Sequence, residues 1–122
     1  MQEKRSYKRI DVNIPCVVFG LKEQEIDARI ENMSEEGFLL VVKKEPGVIH
    51  PKKGDLISVQ FTDTLKFKKA NEEYVVTCEA NVLRISDKES TMYIGCRINS
   101  TEYQTYVMTK KVIEYWEGLY AI

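Results

Sequence analysis

The sequence predicts an all-β fold of six antiparallel strands, arranged as a barrel or a sandwich and followed by a C-terminal helix. Short segments of alternating hydrophobicity recur between residues 12 and 98, and turn-forming or polar links separate them. No helical crossover lies between these segments, as a parallel sheet would require. The chain of 122 residues suits one domain around one core.

The first three predicted strands follow one another closely. Residues 12–20 alternate, and Pro15 suits an edge or the start of a strand. Residues 25–32 alternate most regularly, with an inward face of Ile26, Ala28 and Ile30. Turn formers at residues 32–37 then precede a fully apolar strand at residues 38–42.

The second half of the chain predicts a loop, a strand, a polar connection and a long hairpin. In order, these are residues 43–54, 55–62, 63–73, and 74–85 with 91–98.

The C-terminal segment predicts a helix over residues about 100–120. Residues 99–102, NSTE, can form a capping box, and apolar residues then recur at helical spacing. These are Met108, Val112, Trp116 and Leu119. The helix is expected to close one end of the β-structure, and its aromatic side chains also suit a partner-docking surface.

The composition limits the classes of function. Lysine and arginine number 18 and aspartate and glutamate 19, so no global field attracts nucleic acid or a membrane. No apolar run is long enough to span a bilayer, and the N-terminus lacks the apolar region of a secretory signal. Cys16, Cys78 and Cys96 form no CxxC pair and suit buried, reduced thiols. We therefore expect a cytoplasmic protein without membrane insertion.

Catalytic chemistry finds little support. The single histidine, His50, cannot build a multi-histidine metal site, and no cysteine cluster has zinc spacing. Neither a GxxxxGK[ST] loop nor a GxGxxG motif is present. We predict no enzyme activity, no metal site and no cofactor.

The stretch KRSYKR, residues 4–9, concentrates four basic side chains in a chain of net charge −1. Arg5 and Arg9 are spaced by four. A guanidinium pairs bidentately with phosphate or with guanine O6 and N7, and it stacks on bases. The spacing alone is a weak signal, because a solvated terminus can have the same composition.

A second polar element, NMSEEG, lies between the second and third predicted strands. Asn32 offers a donor and an acceptor to a base edge, and Ser34 offers a hydroxyl to a phosphate. Gly37 permits positive φ and a close backbone approach. An ordinary turn has similar residues, but the complete [DN]xSxxG pattern is rarer than RxxxR.

Together, RxxxR in an N-terminal arm and [DN]xSxxG between strands two and three resemble the PilZ domain family. The resemblance extends through "PKKGDLISVQF" and the final hairpin with its internal Gly95. It implies a six-stranded antiparallel split β-barrel at residues 11–122 with a C-terminal helix, and an N-terminal arm at residues 1–10. It also implies a bacterial receptor for cyclic di-GMP.

The resemblance assigns roles to individual residues. Arg5 and Arg9 would hold the phosphates and guanine faces, Asn32 would contact a guanine edge, and Ser34 a phosphate or guanine. Gly37 would keep the turn open beneath the ligand.

Three further positions affect this assignment. The resemblance implies that a basic residue just before RxxxR, here Lys4, accompanies the binding of two intercalated cyclic di-GMP molecules, so two per domain are possible, with one as the alternative. Position 32 is Asn rather than the commoner Asp, which removes one acceptor for the guanine edge. Arg84 could approach the ligand, but a surface arginine is the favoured interpretation.

The expected function is a monomeric receptor whose arm changes conformation on binding and signals to an unidentified partner protein. Motility, adhesion and exopolysaccharide output are the processes that the resemblance suggests. The alternative is a PilZ-like adaptor that binds no nucleotide and acts by protein–protein interaction. A barrel for single-stranded nucleic acid ranks low, because Asp27, Glu31 and Glu79 make the exposed strand faces mixed or acidic.

Overall fold

A computed structural model describes residues 9–20, 24–67, 70–99, 110, 112–114, 116 and 117. Six strands run along these residues: β1 (Ile10–Phe19), β2 (Glu25–Met33), β3 (Gly37–Lys43), β4 (Leu56–Phe67), β5 (Ala70–Lys88) and β6 (Thr91–Ile98). They form a closed barrel in the order β1-β2-β3-β6-β5-β4, and neighbouring strands are antiparallel. The predicted six-stranded antiparallel barrel is confirmed.

Two contacts between strands distant in sequence close this barrel. β3 pairs with β6 along its whole length, and β1 pairs with β4 through Cys16–Phe19 and Ser58–Phe61. The other neighbours are consecutive strands, which make two three-stranded units, β1-β2-β3 and β4-β5-β6. Closure gives the edge strands of both units a partner.

The prediction of a polar connection at residues 63–73 is wrong. β4 continues to Phe67 and β5 begins at Ala70, and the two strands pair without interruption from Leu56↔Asn81 to Phe67↔Ala70. This ribbon extends past the residues that β4 pairs with β1 and β5 pairs with β6. Its backbone groups bond within the hairpin, so a polar sequence there is compatible with strand structure.

The core consists of the inward side chains of all six strands. Among the largest fully buried side chains are Phe38, Ile14, Ile30, Met33, Leu40, Ile94 and Val59. Val112 and Ile113, two of the described helical residues, are also buried, and Trp116 packs against the core. This confirms the predicted packing at Val112 and Trp116, while Met108 and Leu119 lie outside the described residues.

The three thiols belong to this core. Cys16, Cys78 and Cys96 are free and between 1% and 6% exposed. Burial raises the pKa of each thiol from an ordinary value of 9.0 to about 12. The thiolate is the reactive form, so these cysteines behave as small hydrophobic residues in the folded protein.

We expect alkaline pH to destabilise the fold through these thiols. Between pH 9 and 12 the unfolded chain releases thiol protons that the folded protein retains. The unfolded state therefore binds fewer protons, and the free energy of unfolding falls by about 1.4 kcal/mol per pH unit for each thiol. Urea denaturation at a series of pH values between 8 and 11 measures the slope.

The control for this measurement is Cys78→Ala. It lowers stability at pH 8, where the thiol is protonated in both states, but above pH 9 its slope should be shallower than that of the wild type by about one thiol, ~1.4 kcal/mol per pH unit. An unchanged slope would contradict the assignment.

Candidate functional site

The two motif elements meet because the start of β1 pairs with the end of β2. Ile10 lies opposite Met33 and Asp11 opposite Asn32, so Arg9 emerges from the barrel beside Asn32. The Arg9 Nη1 donates a hydrogen bond to Asn32 Oδ1 over 3.2 Å. The structure thus brings together one residue of RxxxR and one of [DN]xSxxG, 23 positions apart in the sequence.

A β-bulge gives Asn32 its position. Ile26 and Ile30 are buried, and strict alternation would also direct Asn32 into the core. The β2–β3 register shifts between Ile30 and Asn32, and the next buried side chain is that of Met33, 1% exposed. The bulge therefore leaves Asn32 half-buried beside Arg9 while Met33 fills the core.

Three register shifts border one row of paired residues that crosses five strands. The shifts lie between Asp11 and Ile14 in β1, Ile30 and Asn32 in β2, and Val82 and Arg84 in β5. The row itself consists of Asp11, Asn32, Leu39, Gly95 and Arg84. Bulges bend strands and redirect side chains, and they are frequent next to functional sites.

Ser34 holds the turn between β2 and β3. Its side chain is fully buried, and its Oγ accepts a hydrogen bond from the Glu36 N–H over 3.2 Å. Its own N–H donates to the Gly37 carbonyl oxygen over 2.8 Å. The hydroxyl thus satisfies the backbone of the turn, and a contact between Ser34 and a ligand stays a prediction.

Gly37 is required for a close backbone approach. Among the described glycines, positive φ occurs at Gly47 and Gly54 and not at Gly37, so that part of the expectation is wrong. A Cβ on Gly37 would instead collide with the backbone carbonyl oxygen of Cys96 in β6. Only glycine lets β3 start this close to β6.

A cleft of about 240 Å³ opens above this approach. Its lining residues are Arg9, Glu36, Gly37, Leu83, Cys96 and Arg97. Two guanidinium groups against one carboxylate give it a positive charge balance, which suits an anionic ligand. Of the predicted residues, Arg9 and Gly37 line the cleft and Asn32 contacts it through Arg9. Lys4 and Arg5 lie outside the described residues.

Sequence reasoning missed Leu83 and Arg97. Leu83 is 51% exposed beside buried Val82, and Arg97 is the exposed residue that follows buried Cys96. The alternation of β5 indicates from sequence that Leu83 is exposed, but it does not indicate that this leucine lines a cleft with residues of other strands.

Arg84 lies over the internal glycine of β6. A Cβ on Gly95 would come within 3.0 Å of Arg84 Cγ and Nε, so the absent side chain provides the space that the arginine occupies. Arg84 is exposed. This agrees with the interpretation of a surface arginine.

The residues that the structure describes contain no candidate metal centre and no helix that could span a membrane. No group of three or more His, Cys, Asp or Glu side chains there could hold a metal ion. No helix among these residues is both long and apolar enough to cross a bilayer.

The sequence matches the family model of the PilZ domain over residues 3–109. The chain belongs to the PilZ domain family. The match includes the arginine pair, the [DN]xSxxG element and the whole barrel. The resemblance inferred from the two motifs is confirmed. A comparison with curated proteins finds no significant match.

Solved PilZ structures share the fold. The PilZ domain of Escherichia coli YcgR with c-di-GMP superposes with a TM-score of 0.70 and 15% identity, covering 94% of this chain and 92% of that one. The structure of Escherichia coli YcgR in complex with c-di-GMP has a TM-score of 0.69 and 15% sequence identity, and the match covers 98% of this chain and 48% of that one. The structure of Bacillus subtilis MotI/DgrA, an inhibitor of motility, has a TM-score of 0.66 and 16% sequence identity, and the match covers 88% of this chain and 48% of that one. The chain spans about half the length of MotI and of the longer YcgR chain.

We expect Gly37→Ala to destabilise the protein by about 1–3 kcal/mol, because its methyl group must push β3 away from the Cys96 backbone. Gly20→Ala is the matched control, since nothing lies within 4 Å of a Cβ there and its φ is not positive. Urea denaturation compares the two variants. Equal stability of both would contradict the steric role of Gly37.

Proposed function

We propose that this PilZ domain protein is a bacterial cytoplasmic receptor for cyclic di-GMP that signals to a partner protein through its N-terminal arm. The hydrogen bond from Arg9 to Asn32 is the observation that carries the proposal, because it joins both family motifs at one cleft. The similar YcgR domain, which was determined with c-di-GMP, supports the choice of ligand.

The charge of the arm suits this ligand. Residues 1–9 contain four basic side chains and one acidic side chain, a local net charge of +3. Cyclic di-GMP carries two phosphates and two guanines, and Arg5 and Arg9 would bind both kinds of group. Lys4 adds a further charge, with which one or two bound ligand molecules are compatible.

The turn would supply the other side of the site. The Asn32 amide would contact a guanine edge, while Ser34 and Gly37 fix the backbone beneath it. This division of work needs no cofactor and no catalytic group, as befits a regulatory domain.

The same hydrogen bond suggests how occupancy reaches a partner. Asn32 Oδ1 accepts from Arg9 in this structure, and a guanine N–H would bond to the same oxygen. The ligand therefore competes with the arm for Asn32 and draws the arginines onto itself. We propose that a partner protein recognises the rearranged arm and the adjoining barrel face. The likeness to MotI favours a partner in motility.

Calorimetric titration with cyclic di-GMP tests the proposal. We expect the wild type to bind and Arg9→Ala to bind at least about tenfold more weakly, because charged hydrogen bonds to phosphate are lost. Arg5→Ala/Arg9→Ala should not bind measurably. Arg29→Ala, an exposed arginine of β2 paired with Glu31, removes the same charge elsewhere and should bind like the wild type.

Two outcomes would contradict the proposal. They are absence of binding by the wild type, which would favour the adaptor function, and undiminished binding by the double variant.

Asn32→Asp should tighten binding several-fold. A carboxylate accepts from guanine N1–H and N2–H together, whereas the amide has one acceptor oxygen. Competition titration against the wild type measures the ratio of the two dissociation constants. Weaker binding by Asn32→Asp would show that the stronger attraction of Arg9 to the new carboxylate, and not the guanine contact, dominates.

A further inference from the structure

Two residues outside both family motifs line the same cleft as Arg9 and Gly37. Leu83 comes from β5 and Arg97 from β6, so the cleft extends from the arm across the barrel surface. Neither residue belongs to the barrel core: Leu83 is 51% exposed and Arg97 is also exposed.

A β-bulge leaves Leu83 outside the regular ladder. Val82 pairs with Cys96 and Arg84 with Gly95, so Leu83 is the extra residue of β5 at this shift. Val82 before it is 2% exposed. The strand thus keeps Val82 in the core and presents a leucine to the cleft, where a flat apolar surface could pack on it.

Arg97 lies directly opposite Gly37 in the β3–β6 pairing. Because Gly37 has no side chain, the surface beside Arg97 stays open, and both residues line the cleft. Arg9 lines it too, so guanidinium groups from the arm and from the barrel surround one space.

We infer that Leu83 and Arg97 complete the ligand site: Leu83 packs against a guanine face and Arg97 pairs with a phosphate. The inference rests on the proposed function and adds to it a part of the site that belongs to the rigid barrel. The pairing of apolar and cationic groups matches a nucleotide, which offers a base face and a phosphate close together.

The chain offers a matched control for each residue. Leu56 is 53% exposed on β4, against 51% for Leu83, and it does not belong to the lining of this cleft. Arg29 is an exposed arginine on β2 that lines a different cleft, with Asp27 and Lys43. Each control removes the same atoms or the same charge at another surface.

The experiment titrates cyclic di-GMP into the wild type, Leu83→Ala, Arg97→Ala and the controls Leu56→Ala and Arg29→Ala. We expect about fivefold weaker binding for Leu83→Ala, from lost apolar contact. Arg97→Ala should bind about tenfold more weakly, from lost charged hydrogen bonds. Both controls should bind like the wild type. Thermal denaturation of each variant checks that these surface changes leave the fold intact.

Two measurements separate the roles of the residues. Arg97→Ala should make affinity less dependent on salt, since a phosphate contact is screened, whereas Leu83→Ala should leave that dependence unchanged. Leu83→Met, which keeps an apolar face, should retain binding. A salt dependence unchanged by Arg97→Ala would overturn its assignment to a phosphate.

The inference and the proposed function fail differently. If the wild type binds and Arg9→Ala weakens binding, while Leu83→Ala and Arg97→Ala match their controls, the inference is overturned and the receptor function stands. If the wild type does not bind cyclic di-GMP, the receptor function itself fails.

Discussion

The close approach of β3 to β6 at Gly37 is the constraint on which both the barrel and its site depend. The units β1-β2-β3 and β4-β5-β6 are otherwise joined in the sheet by the short pairing of β1 with β4. β3 pairs with β6 from Gly37 to Lys43, and the Ile98 N–H continues the contact by donating to the Glu36 carbonyl oxygen over 2.8 Å. A side chain at position 37 would separate the strands where the cleft begins. The absence of a side chain at Gly37 therefore permits both the closure of the barrel and the opening of the cleft.

The register shifts explain how a barrel with a regular core can present polar groups at one level. Strict alternation would bury Asn32 and would pair Leu83 with a residue of β6. Each bulge shifts the pairing register with the neighbouring strand by one residue, which prevents both. Core packing fixes the position of both bulges, because the side chains of Met33 and Val82 must remain buried. Two residues of the site region, Asn32 and Leu83, thus lie at bulges and are held in place by buried neighbours one position away.

The alternation of apolar and polar residues predicts the strands well where it is regular, and it fails at residues 63–73, whose sequence is mostly polar. Alternation at Ile26 and Ile30 locates β2. Residues 63–73 contain few apolar residues, so their sequence indicates a connection, although the backbones of β4 and β5 pair there. That Arg9 and Asn32 belong to one site followed from the family resemblance and not from periodicity, and the hydrogen bond between them was not predicted. Leu83 escaped detection because a bulge depends on the partner strand, which local patterns do not reveal. Arg97 escaped detection because its place in the cleft depends on its pairing with Gly37 of β3, which is distant in sequence.

In the proposed mechanism, the bond between Arg9 and Asn32 affects affinity and signalling in opposite directions. A ligand that takes over Asn32 Oδ1 must first break a bond whose net worth is about 1 kcal/mol, which weakens apparent binding about fivefold. The same exchange would make the arm of the free protein differ from the arm of the proposed complex. An arm without this contact to the barrel would bind the ligand more tightly. Its free and bound conformations would then differ less, and a partner protein would discriminate between them less well. In this proposal, the contact of Arg9 with Asn32 is therefore the feature that would turn a binding site into a switch.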